Sequence, residues 1–279
     1  MLTENELKKE LEALAEKKFK PSDNKTAEKL VPAMLTHIGS PDPELRDSLI
    51  YSAFASWVMR YDVLSIETLR NTFKTLLDDK HLLFGFGETK TDSIFTRSFS
   101  ALWLPPILIK HRQSAFLSSK DILDAHRKLT KFLREEKDRR GFVEGKGWAH
   151  AAAHAGDALD DLAQCPEIGA EELRKMLPVI RETMSMTEFV YAHGEDERMV
   201  TPVLAVIQRD LLPSDEIKIW LESFVAPVKE TKTMPDGVIL RANIQNFLQS
   251  LYFRLKWADA NSALLPAIEN TLREINIFA

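Results

Sequence analysis

The sequence predicts an all-α protein, an α-α superhelix of the HEAT-like solenoid type with about five irregular helix pairs. Three observations predict it. Apolar residues recur at helical spacing along most of the chain. Cap residues precede these stripes, and Gly or Pro follows them. Nowhere does an alternating strand sit beside a hairpin turn.

The elements follow in order. Thr3-Glu4-Asn5-Glu6 has the form of a capping box, and Leu7, Leu11 and Leu14 follow it on one face. Pro21 breaks that helix. Leu30, Met34, Leu35 and Ile38 form the next stripe, which Gly39-Ser40-Pro41 stops. Asp42-Pro43-Glu44 supplies a cap, a proline at the first helical position and an acid for the first turn. Ser65 starts a helix carrying Leu69, Phe73 and Leu76, and the short Leu82–Phe86 stretch reads as loop. Pro105-Pro106 predicts a kink or break after Trp103-Leu104. Ser118, Gly169 and Ser214 precede three further stripes. Starts fall near residues 26, 66, 120, 171, 215 and 262 in one series, and near 43, 91, 147, 195 and 239 in a second. Spacings of roughly 40–55 residues suit stacked helix pairs, each burying the face its neighbour leaves open. With no linker between them, residues 1–279 read as a single elongated α-solenoid domain.

Composition narrows the function classes. A net charge of −5 disfavours broad, charge-driven binding to nucleic acid or an anionic membrane. Cys165 is the one cysteine, so a disulfide within the chain and a cysteine-based zinc site are both excluded; it reads as a small hydrophobe. No signal peptide and no membrane span is read, and the expected location is cytoplasmic.

The central stretch Gly147-Trp148-Ala149-His150-Ala151-Ala152-Ala153-His154-Ala155-Gly156-Asp157 reads as a helix with two imidazoles and a carboxylate on one stripe. Together with Asp138-Arg139-Arg140-Gly141, Arg97-Ser98-Phe99 and Phe247–Phe253, it resembles an uncharacterised bacterial family, number 2785 of the domain-of-unknown-function series. The resemblance implies a helical-repeat fold and a cytosolic bacterial protein. It brings no activity, cofactor or catalytic residue with it.

The candidate residues have more than one reading. His150, His154 and Asp157 form either a divalent-metal set or an acid–base cluster, with His193, Glu195 or Glu197 as a further ligand. Equally, the imidazoles bond to neighbouring helices across an alanine-rich contact. The zincin pattern is absent, because position 151 is Ala. No cofactor is otherwise evident. The loop 138–147, with Arg140 and Lys146, is an anion site at a helix N-terminus or a solvated connector. Arg97 clamps a ligand, or it pairs with Asp92 or with an acid of the next helix. Trp148 is a pocket-wall candidate. Glu197 and Arg198 open a helix, and Asn246 joins them on the side expected to be concave.

Three functions compete. The leading one is a binding scaffold that holds a peptide, a protein or a small anionic ligand in a concave groove around the His-bearing segment. The second is an enzyme, with a hydrolase among the options, working through His150, His154 and Asp157. The third is nucleic-acid binding, supported only by the basic cluster at Arg127-Lys128, Lys131, Arg134 and Lys137-Arg139-Arg140.

Overall fold

Helix boundaries follow the caps. In the computed structural model, which describes residues 2–258 and 263–277, the Thr3 side chain and the Glu6 carboxylate close a capping box on α1 (Glu4–Ala15). Asp23 caps α2 (Asn24–Thr36) by accepting from Thr26 N at 2.7 Å. A helical run follows in which wide π turns (Glu44–Tyr51 and Ser56–Arg60) flank α3 (Ser52–Ala55). Ser65 caps α4 (Ile66–Leu76). The helices α5 (Ser93–Leu102) and α6 (Leu104–Gln113) part at Trp103, where the proline pair occupies the first turn of α6. A second capping box, Ser118 with Asp121, opens α7 (Ser119–Glu135). Residues 79–87 form a succession of turns, as expected for the Leu82–Phe86 loop.

One expectation fails between residues 140 and 150. Two short strands, β1 (Phe142–Val143) and β2 (Gly147–Trp148), pair antiparallel there, and α8 (Ala151–Ala163) begins only after them. Gly147 and Trp148 therefore lie outside the helix, and His150 is its immediate predecessor. The cause is local backbone chemistry. Gly145 and Gly147 sit at φ +71° and +73°, and His150 itself at +48°, values no right-handed helix contains. Lys146 N closes a turn onto Val143 O at 2.9 Å. The Ala149 and His150 amides then donate to Gly141 O and Arg140 O at 2.8 and 3.0 Å. His150 O accepts the first helical bond, from His154 N at 2.9 Å.

Further along come α9 (Ala170–Met184), α10 (Glu195–Gln208), α11 (Ser214–Glu222), α12 (Val225–Glu230), α13 (Asp236–Trp257) and α14 (Leu265–Ile275). The start expected near residue 262 lies outside the described residues. The chain divides into two compact units, Met1–Ala158 and Leu159–Ala279. In the first, Phe54 stacks on Trp103 at 3.9 Å between ring centroids, and Trp57 Nε1 donates to Phe19 O at 2.8 Å, fastening the exit from α1. In the second, α13 packs on α9, α10, α12 and α14. Trp220, Phe224 and Phe247 cluster in its core, with the Trp220 indole donating to Leu177 O at 2.8 Å. Cys165 is fully buried, its thiol 3.3 Å from Asp161 O. No helix among the described residues is long and apolar enough to cross a membrane.

Candidate functional site

The hairpin and the start of α8 carry the central motif, and both lie in the first unit. Their side chains form a ladder of rings. Phe142 meets Trp148 edge-on at 5.0 Å, and Trp148 stacks on His150 at 4.3 Å with 16° between planes. His150 meets His154 at 5.7 Å, and His154 meets Phe99 at 5.0 Å. The ladder runs from the surface to the core: Phe142 is 48% exposed, His150 5% and His154 4%. His154 Nδ1 lies 3.2 Å from the Ser98 carbonyl of α5. Neither imidazole is presented to solvent. Alanines 151, 152, 153 and 155 are all buried around them. Asp157 is half-buried on α8. Among the described residues, no group of three or more His, Cys, Asp or Glu is placed to hold a metal ion.

The charged candidates are engaged with the chain itself. Arg97 is fully buried; its Nε and Nη2 grip Glu136 at 2.6 and 3.2 Å. Its remaining donors reach Ser93 Oγ and the carbonyls of Phe84, Gly85 and Glu88. The acid that meets Arg97 is Glu136, the residue that directly follows α7. Asp92 instead receives Lys146 Nζ at 2.7 Å. Arg140 bonds Asp138 at 2.8 and 2.7 Å and the Thr91 carbonyl at 2.7 Å. Asp138 in turn accepts from Lys90 N at 2.7 Å. The loop 138–147 is thus tied down by short polar contacts rather than solvated along its length.

A residue the sequence reading passed over organises the hairpin from below. Arg46, fully buried, donates to Ser40 O, to Lys146 O at 2.5 Å and to Trp148 O at 3.3 Å. Its guanidinium lies over Phe95 at 4.0 Å and Phe99 at 4.9 Å. Burial with no carboxylate in contact pulls its pKa down to about 10, so it stays charged at neutral pH. The available signal was its place in a buried stripe with Ile50, Ala53 and Trp57 at helical spacing.

Outside the ladder, a cleft of about 520 Å³ opens between the hairpin and the first turns after Pro43. Phe142, Trp148 and the hairpin glycines form one wall; Pro43, Glu44, Asp47 and Ser48 form the other. Trp148 lines this cleft.

The profile of the family described as "Protein of unknown function (DUF2785)" matches residues 82–253, more than half of the chain. The chain belongs to the DUF2785 family. Its matched region holds the ring ladder, the Arg97–Glu136 pair and the hairpin, while Arg46 and the acidic wall of the cleft precede it. Neither the curated proteins nor the solved structures contain a match to the chain.

The remaining candidates of this DUF2785 protein lie in its second unit. Glu197 and Asp196 both accept from Ser250 Oγ, at 3.2 and 3.1 Å, and the Glu197 carbonyl accepts from Arg254 at 3.2 Å. These contacts seat the start of α10 on α13. Arg198 is half-buried and Asn246 exposed. His193 and Glu195 form a local pair, 3.8 Å apart, in which Glu195 also accepts from His193 N at 2.8 Å. Asn243, missed in the sequence, is buried and holds Tyr191 N, Met186 O and Phe189 O at 2.8, 3.1 and 3.0 Å. The basic cluster considered for nucleic acid is largely matched by acids and carbonyls. Arg127 and Lys128 share Asp124, Lys131 faces Glu135, and Arg139 donates to Leu133 O.

Proposed function

We propose that this protein is a binding module, and that the cleft beside the ring ladder receives a basic side chain of a peptide or protein partner. One observation carries this reading: exposed Phe142 and half-buried Trp148 face a wall bearing Asp47 and the Lys8-paired Glu44 across a concave space. Aromatic faces attract cations through their quadrupole, and carboxylates on the opposite wall add a charge-assisted partner for an ammonium or guanidinium. The charged residues that a catalytic or anion-binding reading would use, Arg97, Arg140 and Lys146, are engaged with the chain's own acids and carbonyls. The two histidines act here as the buried support of Trp148. On this view the cleft disfavours an anionic ligand, and the partner is basic.

The test is a titration with a lysine-rich hexapeptide and with its fully acetylated copy, followed by the indole N–H resonance of Trp148, assigned through Trp148→Phe. The reading expects a saturable shift with the charged peptide alone, weakened about tenfold in Asp47→Asn. An unmoved resonance at millimolar peptide, or equal response to the acetylated copy, sinks it.

A further inference from the structure

A second concavity, separate from the cleft at Trp148, lies in the first unit between α2 and α4. Its volume is about 640 Å³, and the turns after α4 close one end. That volume falls within the range of small-molecule sites, roughly 300–1,000 Å³. Its floor and one wall are apolar, with Val31, Leu35 and Phe84 among the lining residues.

The polar lining is distributed unevenly. At the end nearer the α4 N-terminus stands Glu28, fixed by Ser65 N at 2.8 Å and Thr68 Oγ1 at 3.3 Å. These bonds from Ser65 hold its carboxyl below the ordinary glutamate range, so it is an anion at neutral pH. At the other end stand Lys80 and His81. Asp78 holds His81 by Nδ1 at 2.8 Å, which leaves Nε2 as the free polar edge of the ring. Between the two ends, Thr68 and Thr75 are seven positions apart on α4, about 10 Å at helical rise. Among the described residues, Lys80 Nζ and the side chains of Asn71, Thr72, Thr75 and Thr96 have no partner in the chain. Thr72 is 2% exposed and lines the cleft. Donors that the fold does not use therefore converge on a space with an apolar floor.

We infer that this cleft is a binding site for a small amphipathic monoanion, a carboxylate carried on an aliphatic body. The anionic head lies at the Lys80 end of the cleft, where the ammonium supplies its hydrogen bonds. The body covers Val31, Leu35 and Phe84. Glu28 at the far end rejects a second negative charge, so a molecule acidic at both ends is excluded.

Titration calorimetry on the full chain tests this with three probes: octanoate, octanedioate and octylammonium. Octanoate is expected to bind one-to-one and saturably, and the other two to bind at least tenfold more weakly. Lys80→Ala, on an exposed turn, is expected to weaken octanoate about tenfold, the loss of one hydrogen bond to a charged group. Thr75→Trp, which fills the cleft, is expected to abolish binding with the helical circular dichroism retained. If Thr75→Trp does not fold, Lys80→Ala and the probe series decide alone. Absence of saturation with octanoate, equal binding of octanoate and octanedioate, or unchanged affinity in Lys80→Ala overturns the assignment.

Discussion

Arg97 and Arg46 are both wholly removed from water, and the protein accommodates their charges in different ways. Arg97 has a carboxylate: Glu136 meets it in a fork, and four further acceptors take up the rest of the guanidinium. Arg46 has backbone carbonyls and two aromatic faces, and Asp42, Asp47 and Asp92 act on it only through space. The first arrangement is a neutral unit that secures turns 84–88 to α5 and to the exit of α7. The second leaves a net positive charge beneath the hairpin, where it orients the carbonyls of Lys146 and Trp148. A buried charge is costly without a partner, and the two regions show that a counter-ion and a cage of carbonyl dipoles are alternative remedies.

The sharpest way to break this contrast is Glu136→Ala, which strands Arg97. It should cost about 3–5 kcal/mol in chemical denaturation. The double variant Arg97→Met/Glu136→Ala should recover much of that loss. A single-site cost under about 1 kcal/mol would mean that the carbonyls suffice and that the two arginines are alike. Arg46→Met should cost less, about 1–3 kcal/mol, because it leaves acceptors rather than an unpaired charge. Its additional signature is local: amide exchange at residues 142–148 should accelerate. Gly147→Ala tests the same hairpin from the other side. A Cβ there would stand 2.8 Å from Pro43 Cβ at φ +73°, so about 1–3 kcal/mol is expected, again confined to the hairpin.

The smallest effect concerns the turn that launches the Arg46-bearing helix. Burial alone pushes the Asp42 carboxyl up, but hydrogen bonds from Lys8 and from the Leu45 and Glu44 amides together hold it below its ordinary value of 3.8. A lowered carboxylate contributes stability that is complete above 3.8 and is lost as pH falls through the lowered value. Lys8→Met should therefore lower stability at neutral pH by under about 1 kcal/mol and flatten the acid limb of the pH profile. An unchanged acid limb would detach Asp42 from it.

Much of the helical class was legible because caps and breakers are local. Thr3, Ser65 and Ser118 announce helices by bonds to residues three positions away, and Pro105-Pro106 breaks one by its own ring geometry. The site was less legible. The segment read as a single helix, Trp148 included, is a hairpin joined to a helix. Positive φ at Gly145, Gly147 and His150 decides that, and periodicity does not encode it. Arg97 was visible as a charge in an apolar helix, whereas Glu136 sat in a charged run that reads as solvated surface. The pairing spans 39 positions, and nothing in either neighbourhood names the other. The α2–α4 cleft is equally non-local, since its threonines look like ordinary surface residues of an amphipathic helix.

Asn243 carries a consequence in time rather than in energy. It joins α13 to the connector at residues 186–191 across 52 to 57 positions of sequence. Contacts of that separation form late, after the intervening chain has lost most of its freedom. In the stretch between α9 and α10 the amide of Tyr191 donates to Asn243 at 2.8 Å, so the docking of α13 ties that connector into the second unit. On the ribosome, that connector emerges dozens of residues before the side chain that fixes it.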